Sequence, residues 1–373
     1  MGKQYISTNV VGDSHSSDLL DLSISDKYTI TVSGDGYSKF WDNKMEEVDD
    51  PKEHVVSKMV DGSGIHHVNI FENIIPDSHV KVVVVGYGCF NGTIKIQSFI
   101  NDDITTLTEV TEFKGTYWCP IFYKDPESEQ DLLITTSITG EITLWNMTIS
   151  PNGKDIEFTE FNKLIPTESN FPISIDVSID KKLSIGYTNG DVMLYHLLDL
   201  KAIYTFHSTD LISGTSNSVP RVVKFSPGGS ILVVARDNQN AGSINLYDVK
   251  YGENIGALTK PSHSTNTTIG GFAHDGWIMG LSFDDEGKFL ASCGFDKCIR
   301  IWNLENKERE ATINLSLTDF QDFNADEHDS SIASGVQFIK KGIRGGLGGG
   351  SNNGLCVISF DRGIRWYREA GGI

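Results

Sequence analysis

The stretch Asp296-Lys297-Cys298-Ile299-Arg300-Ile301-Trp302 decides the fold of this chain. Apolar and polar residues alternate along it, and a period of two is typical of a β-strand whose neighbouring side chains face different layers. The stretch begins at a turn residue and ends on a tryptophan, and a second strand-like run, Phe289 to Cys293, comes just before it. The sequence therefore predicts a β-hairpin at this position.

The same hairpin pattern occurs seven times, and in each copy the terminal aromatic residue or its substitute lies six positions after the turn residue. A third strand-like run precedes the hairpin, as in Trp277 to Phe283. The copies are about 54 residues apart on average, which exceeds the usual 40–45 of such repeats and predicts enlarged loops at 46–59, 262–271, 305–327 and 341–354. The seven units are Asp35–Trp41, Asn91–Gln97, Thr139–Trp145, Asn189–Tyr195, Ala241–Tyr247, Asp296–Trp302 and Asp361–Tyr367.

Charge and hydropathy exclude two classes of partner. The chain has 373 residues, 39% of them hydrophobic, but no apolar run approaches the roughly 18–20 residues that span a bilayer. Its formal net charge of −19 repels phosphate backbones, so we predict no direct contact with nucleic acid, while a basic peptide would be attracted. The amino terminus has no signal-peptide pattern, and the sequence predicts a cytoplasmic protein without membrane contact.

The cysteine and histidine patterns predict neither a cofactor nor a metal ion. The five cysteines form an odd set without a CxxC pair, and each lies in an apolar stretch, which favours buried free thiols. His66 and His67 are adjacent on a predicted strand, so we expect them to face opposite ways and not to share a metal. A dinucleotide-binding loop comes directly after a strand, but no predicted strand leads into the glycine-rich segment 345–350.

Copies one and six resemble the WD-repeat family, because Trp41-Asp42 and Trp302-Asn303 end their hairpins and His15 and His274 precede them. The resemblance covers essentially the whole chain and implies an all-β, seven-bladed β-propeller. In such a ring the segment Gln4 to Thr8 would complete the last blade beside Tyr367, which removes the open sheet edges. We therefore expect a single domain spanning residues 1–373.

His274, Ser292 and Asp296 have the residue types of a hydrolase triad, in which an acid orients a base that activates the nucleophile. The family resemblance implies a different role, a buried hydrogen-bond network that joins the strands of one blade. A motif that occurs in two blades favours this structural interpretation, because one active site needs one copy. The network residues are His15, Thr31, Asp35 and Trp41 in copy one and His274, Ser292, Asp296 and Trp302 in copy six.

The leading residues of the first strands are the candidate protein-interaction residues. In a propeller they are expected to surround the central channel on one face, and large aromatic residues and arginine dominate binding hot spots. Trp118 and Trp277 stand outside the position of the structural tryptophan, so the repeat does not require them, although packing between blades is the alternative. For Arg221 the alternative is a local salt bridge. The candidates are Asp18, His66, Trp118, Arg221 and Trp277.

Three stretches resemble the WD-repeat subunits of the fungal superkiller (Ski) complex: Ser33 to Lys44, Gly64 to Val68 and Asp361 to Ile373. The last is the most specific, because nothing in a propeller requires Arg-Glu-Ala-Gly-Gly-Ile after the final strand. The resemblance implies a non-catalytic scaffold that joins a tetratricopeptide subunit to a DExH RNA helicase and assists 3′-to-5′ decay of messenger RNA by the cytoplasmic exosome, including antiviral decay. It also implies recognition of short segments containing Gln-Arg and ending in an aromatic residue.

The resemblance further implies a second, nuclear role beside the topoisomerase-like protein that makes meiotic double-strand breaks. Two other hypotheses stay open. One is a different WD-repeat adaptor, such as a substrate receptor of a ubiquitin ligase, and the other is a propeller enzyme that uses Ser292.

Overall fold

The computed structural model describes residues 3–44, 52–126, 130–207, 218–260, 271–320, 329–340 and 353–370, whose strands form seven four-stranded antiparallel sheets. Blade 1 contains β2 (Leu19–Ile24), β3 (Tyr28–Ser33), β4 (Tyr37–Asp42) and β5 (Val56–Met59). Blade 2 contains β6 (Ile65–Ile74), β7 (Lys81–Cys89), β8 (Ile94–Ile100) and β9 (Asp103–Phe113). Blade 3 contains β10 (Tyr117–Tyr123), β11 (Asp131–Ser137), β12 (Ile142–Ile149) and β13 (Ile156–Leu164). Blades 4 and 5 contain β14 (Pro172–Val177), β15 (Lys182–Tyr187), β16 (Val192–His196) and β17 (Ala202–Phe206); and β18 (Pro220–Phe225), β19 (Ile231–Asn238), β20 (Ala241–Asp248) and β21 (Glu253–Leu258). Blade 6 contains β22 (Ile278–Phe283), β23 (Phe289–Gly294), β24 (Cys298–Asn303) and β25 (Glu308–Asn314), and blade 7 contains β26 (Ala333–Ile339), β27 (Gly354–Ser359), β28 (Ile364–Glu369) and β1 (Tyr5–Val11).

This architecture confirms the predicted all-β, seven-bladed propeller. Each predicted hairpin forms the second and third strands of one blade, so that in blade 6 Leu290 pairs with Trp302 and Cys293 with Ile299. The second strands are the most buried elements, and every residue of β3, β11, β23 and β27 is buried. They are buried because neighbouring blades cover both of their faces, which accounts for their continuous apolar runs.

The amino-terminal strand closes the ring, as predicted. β1 is the outermost strand of blade 7 and pairs with β28, with Tyr5 opposite Glu369 and Ser7 opposite Tyr367. Strands from the two ends of the described chain thus share one sheet. This pairing gives the last blade its fourth strand and leaves no gap in the ring.

Two of the predicted enlarged loops contain outer strands, so the prediction is wrong in part. β5 occupies the end of the range 46–59 and β25 lies inside 305–327. Outer strands face solvent on one edge and lack the apolar alternation of inner strands; β25 begins Glu308-Arg309-Glu310. Of the predicted loops, the parts 46–51, 262–270, 321–327 and 341–352 lie outside the described residues.

Blades 2 and 4 lack the repeat tryptophan but still join their second and third strands through polar groups. The hydroxyl of Tyr87 donates to Oε1 of Gln97 at 3.3 Å in blade 2, and the hydroxyls of Tyr187 and Tyr195 lie 3.2 Å apart in blade 4. Buried polar groups need such partners, because an unsatisfied one costs about 1–3 kcal/mol. The same position is therefore filled by different residue types of matched hydrogen-bonding capacity.

All five cysteines lie in the described part of the chain and are free thiols. Four of them are buried as predicted, but Cys298 is half-buried, because it opens β24 beside the outer strand and its thiol contacts the side chain of Asn314 at 3.2 Å. The described residues contain no helix with the length and apolar character that a bilayer span requires.

Candidate protein-interaction site

The upper face, defined here as the face at which the first strand of each blade begins, surrounds one mouth of the central channel. Every first strand has a register shift after its first paired residue, which is the signature of a β-bulge. The bulge residues all line the channel, and we call the seven positions the collar. The collar consists of Leu20, His66, Trp118 with Cys119, Ile173, Arg221, Met279 and Ser334.

The collar separates the five predicted interaction residues into two groups. His66, Trp118 and Arg221 are collar residues. Asp18 and Trp277 each stand one residue before the first strand, at the rim of the upper face and outside the channel lining, where Asp18 is exposed. Three of the five predicted residues therefore line the channel, and the other two stand at its rim. Sequence reasoning missed the other four collar positions, Leu20, Ile173, Met279 and Ser334, which become recognisable only when the first strands are aligned on the bulges of the structure.

Aromatic rings on the upper face form two groups on different blades. In the first, the rings of His66 and Trp118 stack with centroids 4.0 Å apart, and Phe90 and Phe171 each pack at 4.9 Å from this pair. Phe90, in the hairpin turn of blade 2, is 51% exposed. Rigid aromatic surface that is already in place is the kind of surface on which partner side chains bind.

The second aromatic group lies on blades 6 and 7. The ring of Trp277 is 5.4 Å from that of Phe295, which in turn is 6.0 Å from Phe360. Trp277 is 40% exposed, although it packs against the guanidinium of Arg221 at 5.0 Å. Arg221 itself forms the local salt bridge that was the alternative prediction, with Nη2 2.6 Å from Oδ2 of Asp237.

The expectation that His66 and His67 face opposite ways is wrong. Their Nδ1 atoms lie 2.5 Å apart, because the bulge between Ile65 and His67 interrupts the strand alternation. Burial lowers the pKa of His66 to about 4 and that of His67 to about 3, so both rings are neutral at pH 7. No group of three or more metal-binding side chains occurs among the described residues.

Charged side chains of the first strands also line the channel. The channel encloses about 450 Å³, and Asp21 and Lys224 are among its lining residues. Burial by itself would lower the pKa of Lys224, but the carboxylate of Asp176, 2.8 Å from Nζ, raises it. Burial raises the pKa of Asp21 to about 7, although its Oδ2 accepts a hydrogen bond from the backbone of Val68 at 2.9 Å. The channel lining therefore includes a lysine that is ion-paired with Asp176 and a carboxyl group whose pKa lies near neutrality.

These shifts predict that the protein becomes less stable between pH 7 and pH 5. In the folded protein the pKa values of His66 and His67 lie below 6.5, the usual value for histidine in an unfolded chain. As the pH falls below 6.5 the unfolded chain therefore binds protons before the folded protein does, and the stability that these residues give above pH 6.5 is lost. Asp21 acts in the opposite direction, because its folded pKa of about 7 exceeds the usual 3.8.

Asp21→Asn should therefore lose stability more steeply than the wild type, by roughly 2 kcal/mol more between pH 7 and pH 5. The asparagine can still accept the hydrogen bond from Val68. Urea unfolding at pH 5, 6 and 7 measures both slopes, and identical slopes would show that Asp21 is already ionised in the folded protein at pH 5.

The eight predicted network residues lie beside the upper face in two chains of hydrogen bonds. In blade 6 the indole of Trp302 donates to Oγ of Ser292 at 2.8 Å, Nε2 of His274 lies 2.7 Å from the same oxygen, and Nδ1 lies 2.8 Å from Asp296. In blade 1 the corresponding distances, among Trp41, Thr31, His15 and Asp35, are 3.0, 3.0 and 3.1 Å. Both histidines and both hydroxyl residues are buried, so each chain is internal to its blade.

A closed ring of seven four-stranded blades, with such hydrogen-bond chains in two of them, defines a WD-repeat propeller. Residues 266–303 match the family described as WD domain, G-beta repeat. Over 404 aligned positions the chain is 35% identical to Antiviral protein SKI8 of Saccharomyces cerevisiae, with both chains covered completely. The chain belongs to the SKI8 family of WD-repeat proteins.

Two further similarities are weaker. The chain is 24% identical to Meiotic recombination protein rec14 of Schizosaccharomyces pombe over 264 residues, which cover 68% of this chain and 74% of that protein. It is also 24% identical to a striatin homolog of Dictyostelium discoideum, but over 47% of this chain and 19% of the other. The match to the striatin homolog is limited to part of the propeller.

Proposed function

We propose that this protein is a non-catalytic scaffold subunit of a superkiller complex, which assists exosome-mediated 3′-to-5′ decay of messenger RNA in the cytoplasm. Its proposed partners are the tetratricopeptide scaffold subunit and the DExH RNA helicase of that complex. The observation that carries the proposal is the identity of 35% to Antiviral protein SKI8 over the full length of both chains. We also propose that residues 1–373 form one domain, supported by the pairing of β1 with β28.

Burial supports the non-catalytic role. Ser292 and His274 have the residue types of a nucleophile and a base, but both are 0% exposed, and the Ser292 hydroxyl is already held between Trp302 and His274. A nucleophile must reach a substrate carbonyl, and this one has no access to solvent. The net charge of −19 further supports a protein that contacts its partners' polypeptides and not the RNA.

The proposed docking surface is the upper face, with Asp18, His66, Trp118, Arg221 and Trp277 as its contact residues. The two aromatic groups supply apolar surface, and the exposed carboxylate of Asp18 adds negative charge that attracts a basic segment. An acidic protein gains association rate from such a partner, while the buried aromatic contacts supply most of the affinity.

Trp118→Ala and Trp277→Ala should each weaken binding of the tetratricopeptide subunit by about 1–4 kcal/mol, because truncating an aromatic anchor removes its contact area. Isothermal titration with purified subunits measures the change. The control is Tyr251→Ala, at an exposed aromatic residue in the β20–β21 turn on the opposite side of blade 5. Thermal unfolding should show intact folding of all three. Wild-type affinity in both tryptophan variants would remove the upper face from the proposal.

Affinity purification from the native cell followed by mass spectrometry tests the assignment itself. We expect the tetratricopeptide subunit and the helicase to be recovered together. Recovery of ubiquitin-ligase components without either of them would favour the alternative WD-repeat adaptor.

A second proposed role is meiotic, with a nuclear pool of the protein bound to the topoisomerase-like protein that makes double-strand breaks. The identity of 24% to Meiotic recombination protein rec14 supports it. Purification from meiotic and vegetative cells distinguishes the two roles, since we expect this partner in the meiotic sample alone.

A further inference from the structure

Trp277 precedes the first strand of blade 6, but two contacts from blade 5 help to hold its side chain. Its indole Nε1 donates a hydrogen bond of 2.7 Å to the backbone oxygen of Gln239, at the turn of the β19–β20 hairpin. The guanidinium of Arg221, from β18, lies 5.0 Å from its ring centroid. A half-exposed tryptophan is thus fixed at its polar edge and along one face by the neighbouring blade.

The β19–β20 hairpin reaches Trp277 because it is longer than its counterparts. Its ladder continues to the pair Asn238–Ala241, whereas the ladder of blade 6 stops at Cys293–Ile299. Gly242 in this extension exchanges backbone hydrogen bonds with Ala273 and His274. A Cβ atom at Gly242 would lie 2.7 Å from the backbone oxygen of Gly276, so the hairpin and the segment before β22 are in direct contact.

Arg221 is held by two bonds to one carboxylate. Its Nε and Nη2 donate to Oδ2 of Asp237 at 2.9 and 2.6 Å, and the side chain of Asp237 is 11% exposed. A bidentate pair fixes the plane of a guanidinium, which is why arginine suits stacked sites. Its positive charge is neutralised at the same time, so it is not available to an acidic partner group.

We propose that Asp237 is a positioning residue of the upper face: by fixing Arg221 against one face of Trp277, it holds that ring ready for an uncharged, apolar group of the docked partner. The inference rests on the proposed function, since it assigns the chemistry of one contact on that surface. An acidic group would have to compete with Asp237 for Arg221, and a cationic group would meet a ring whose other face already holds the guanidinium of Arg221. Holding the ring before binding removes the entropy that would otherwise be lost on complex formation.

A double-mutant cycle tests the proposal. Asp237→Asn should weaken binding of the purified tetratricopeptide subunit roughly 5- to 20-fold, and Asp237→Asn combined with Trp277→Ala should bind no more weakly than Trp277→Ala, within about twofold. Asp275→Asn, at a neighbouring carboxylate that is 70% exposed, is the control and should bind as the wild type. Wild-type affinity of Asp237→Asn, or effects that simply add, would overturn the inference.

A spectroscopic signature separates positioning from a general loss of structure. The indole N–H resonance of Trp277, assigned by its absence in Trp277→Phe, should shift in Asp237→Asn and return towards its wild-type position in Asp237→Glu. The affinity ratio of wild type to Trp277→Ala should be unchanged between 50 and 500 mM salt, because the contact is uncharged. An unmoved resonance overturns the inference even if the tetratricopeptide subunit does not bind at all, an outcome that would instead refute the proposed function.

Discussion

Replacing Asp296 with alanine is expected to lower the free energy of unfolding by about 3–5 kcal/mol. Its carboxylate lies 2.8 Å from Nδ1 of His274 and 2.6 Å from Nη1 of Arg300, and the side chains of all three residues are less than a tenth exposed. Without the carboxylate, a guanidinium remains buried with no anion beside it. Removing one partner of a solvent-exposed ion pair would cost far less stability, because water replaces the lost partner. Urea unfolding followed by circular dichroism at pH 7 measures the loss.

Blade 1 supplies the matched control. Asp35 makes the corresponding contact to His15 at 3.1 Å, but no arginine joins it, since Lys39 in this blade donates to the backbone oxygen of Ser14. Asp35→Ala therefore leaves unsatisfied hydrogen bonds and no unpaired arginine, and we expect a smaller loss of about 1–3 kcal/mol. Equal losses in both variants would show that the Arg300 pair adds nothing to the hydrogen bonds.

Replacing Arg365 with alanine is expected to destabilise the seam at which the ring closes, again by about 3–5 kcal/mol. The side chain of Arg365 is 0% exposed; Nη2 lies 2.7 Å from Asp361, Nε lies 2.8 Å from Asp319, and the guanidinium packs 4.3 Å from the ring centroid of Phe320. Its removal leaves the carboxylate of Asp361, 1% exposed, without a cation.

The loss of Arg365 should loosen the neighbouring strand β1 before it unfolds the whole protein. Arg365 lies on β28, whose outer edge pairs with β1, so the amide hydrogens of Tyr5–Val11 should exchange faster in the variant. Arg362→Ala is the control, because this neighbouring arginine is 40% exposed and pairs with the exposed Asp13, a contact worth about 0–1 kcal/mol. Unchanged exchange in β1 would show that the ring is closed by the strand pairing alone.

The candidate interaction site could be predicted in part from the sequence. Trp118 and Trp277 stood out because the repeat pattern does not require a tryptophan at either position, and both carry exposed or half-buried rings on the upper face. The collar could not be seen as a set, because its members Leu20, His66, Ile173 and Met279 have no residue type in common. What they share is a bulge, and a bulge is a property of strand pairing that the sequence of one strand does not reveal.

The number of blades, their hairpins and the closure by the first strand were determined by the sequence itself, because alternation of apolar residues and tight turns act over a few neighbouring residues and each copy repeats them. The tertiary structure decided the rest. It brought the Nδ1 atoms of His66 and His67 together, buried Asp21 in a channel, and placed Gln239 and Asp237 of blade 5 around Trp277 and Arg221. These contacts join residues that are close together only because whole blades pack against each other. That packing results from the summed burial of many side chains, which no local sequence pattern describes.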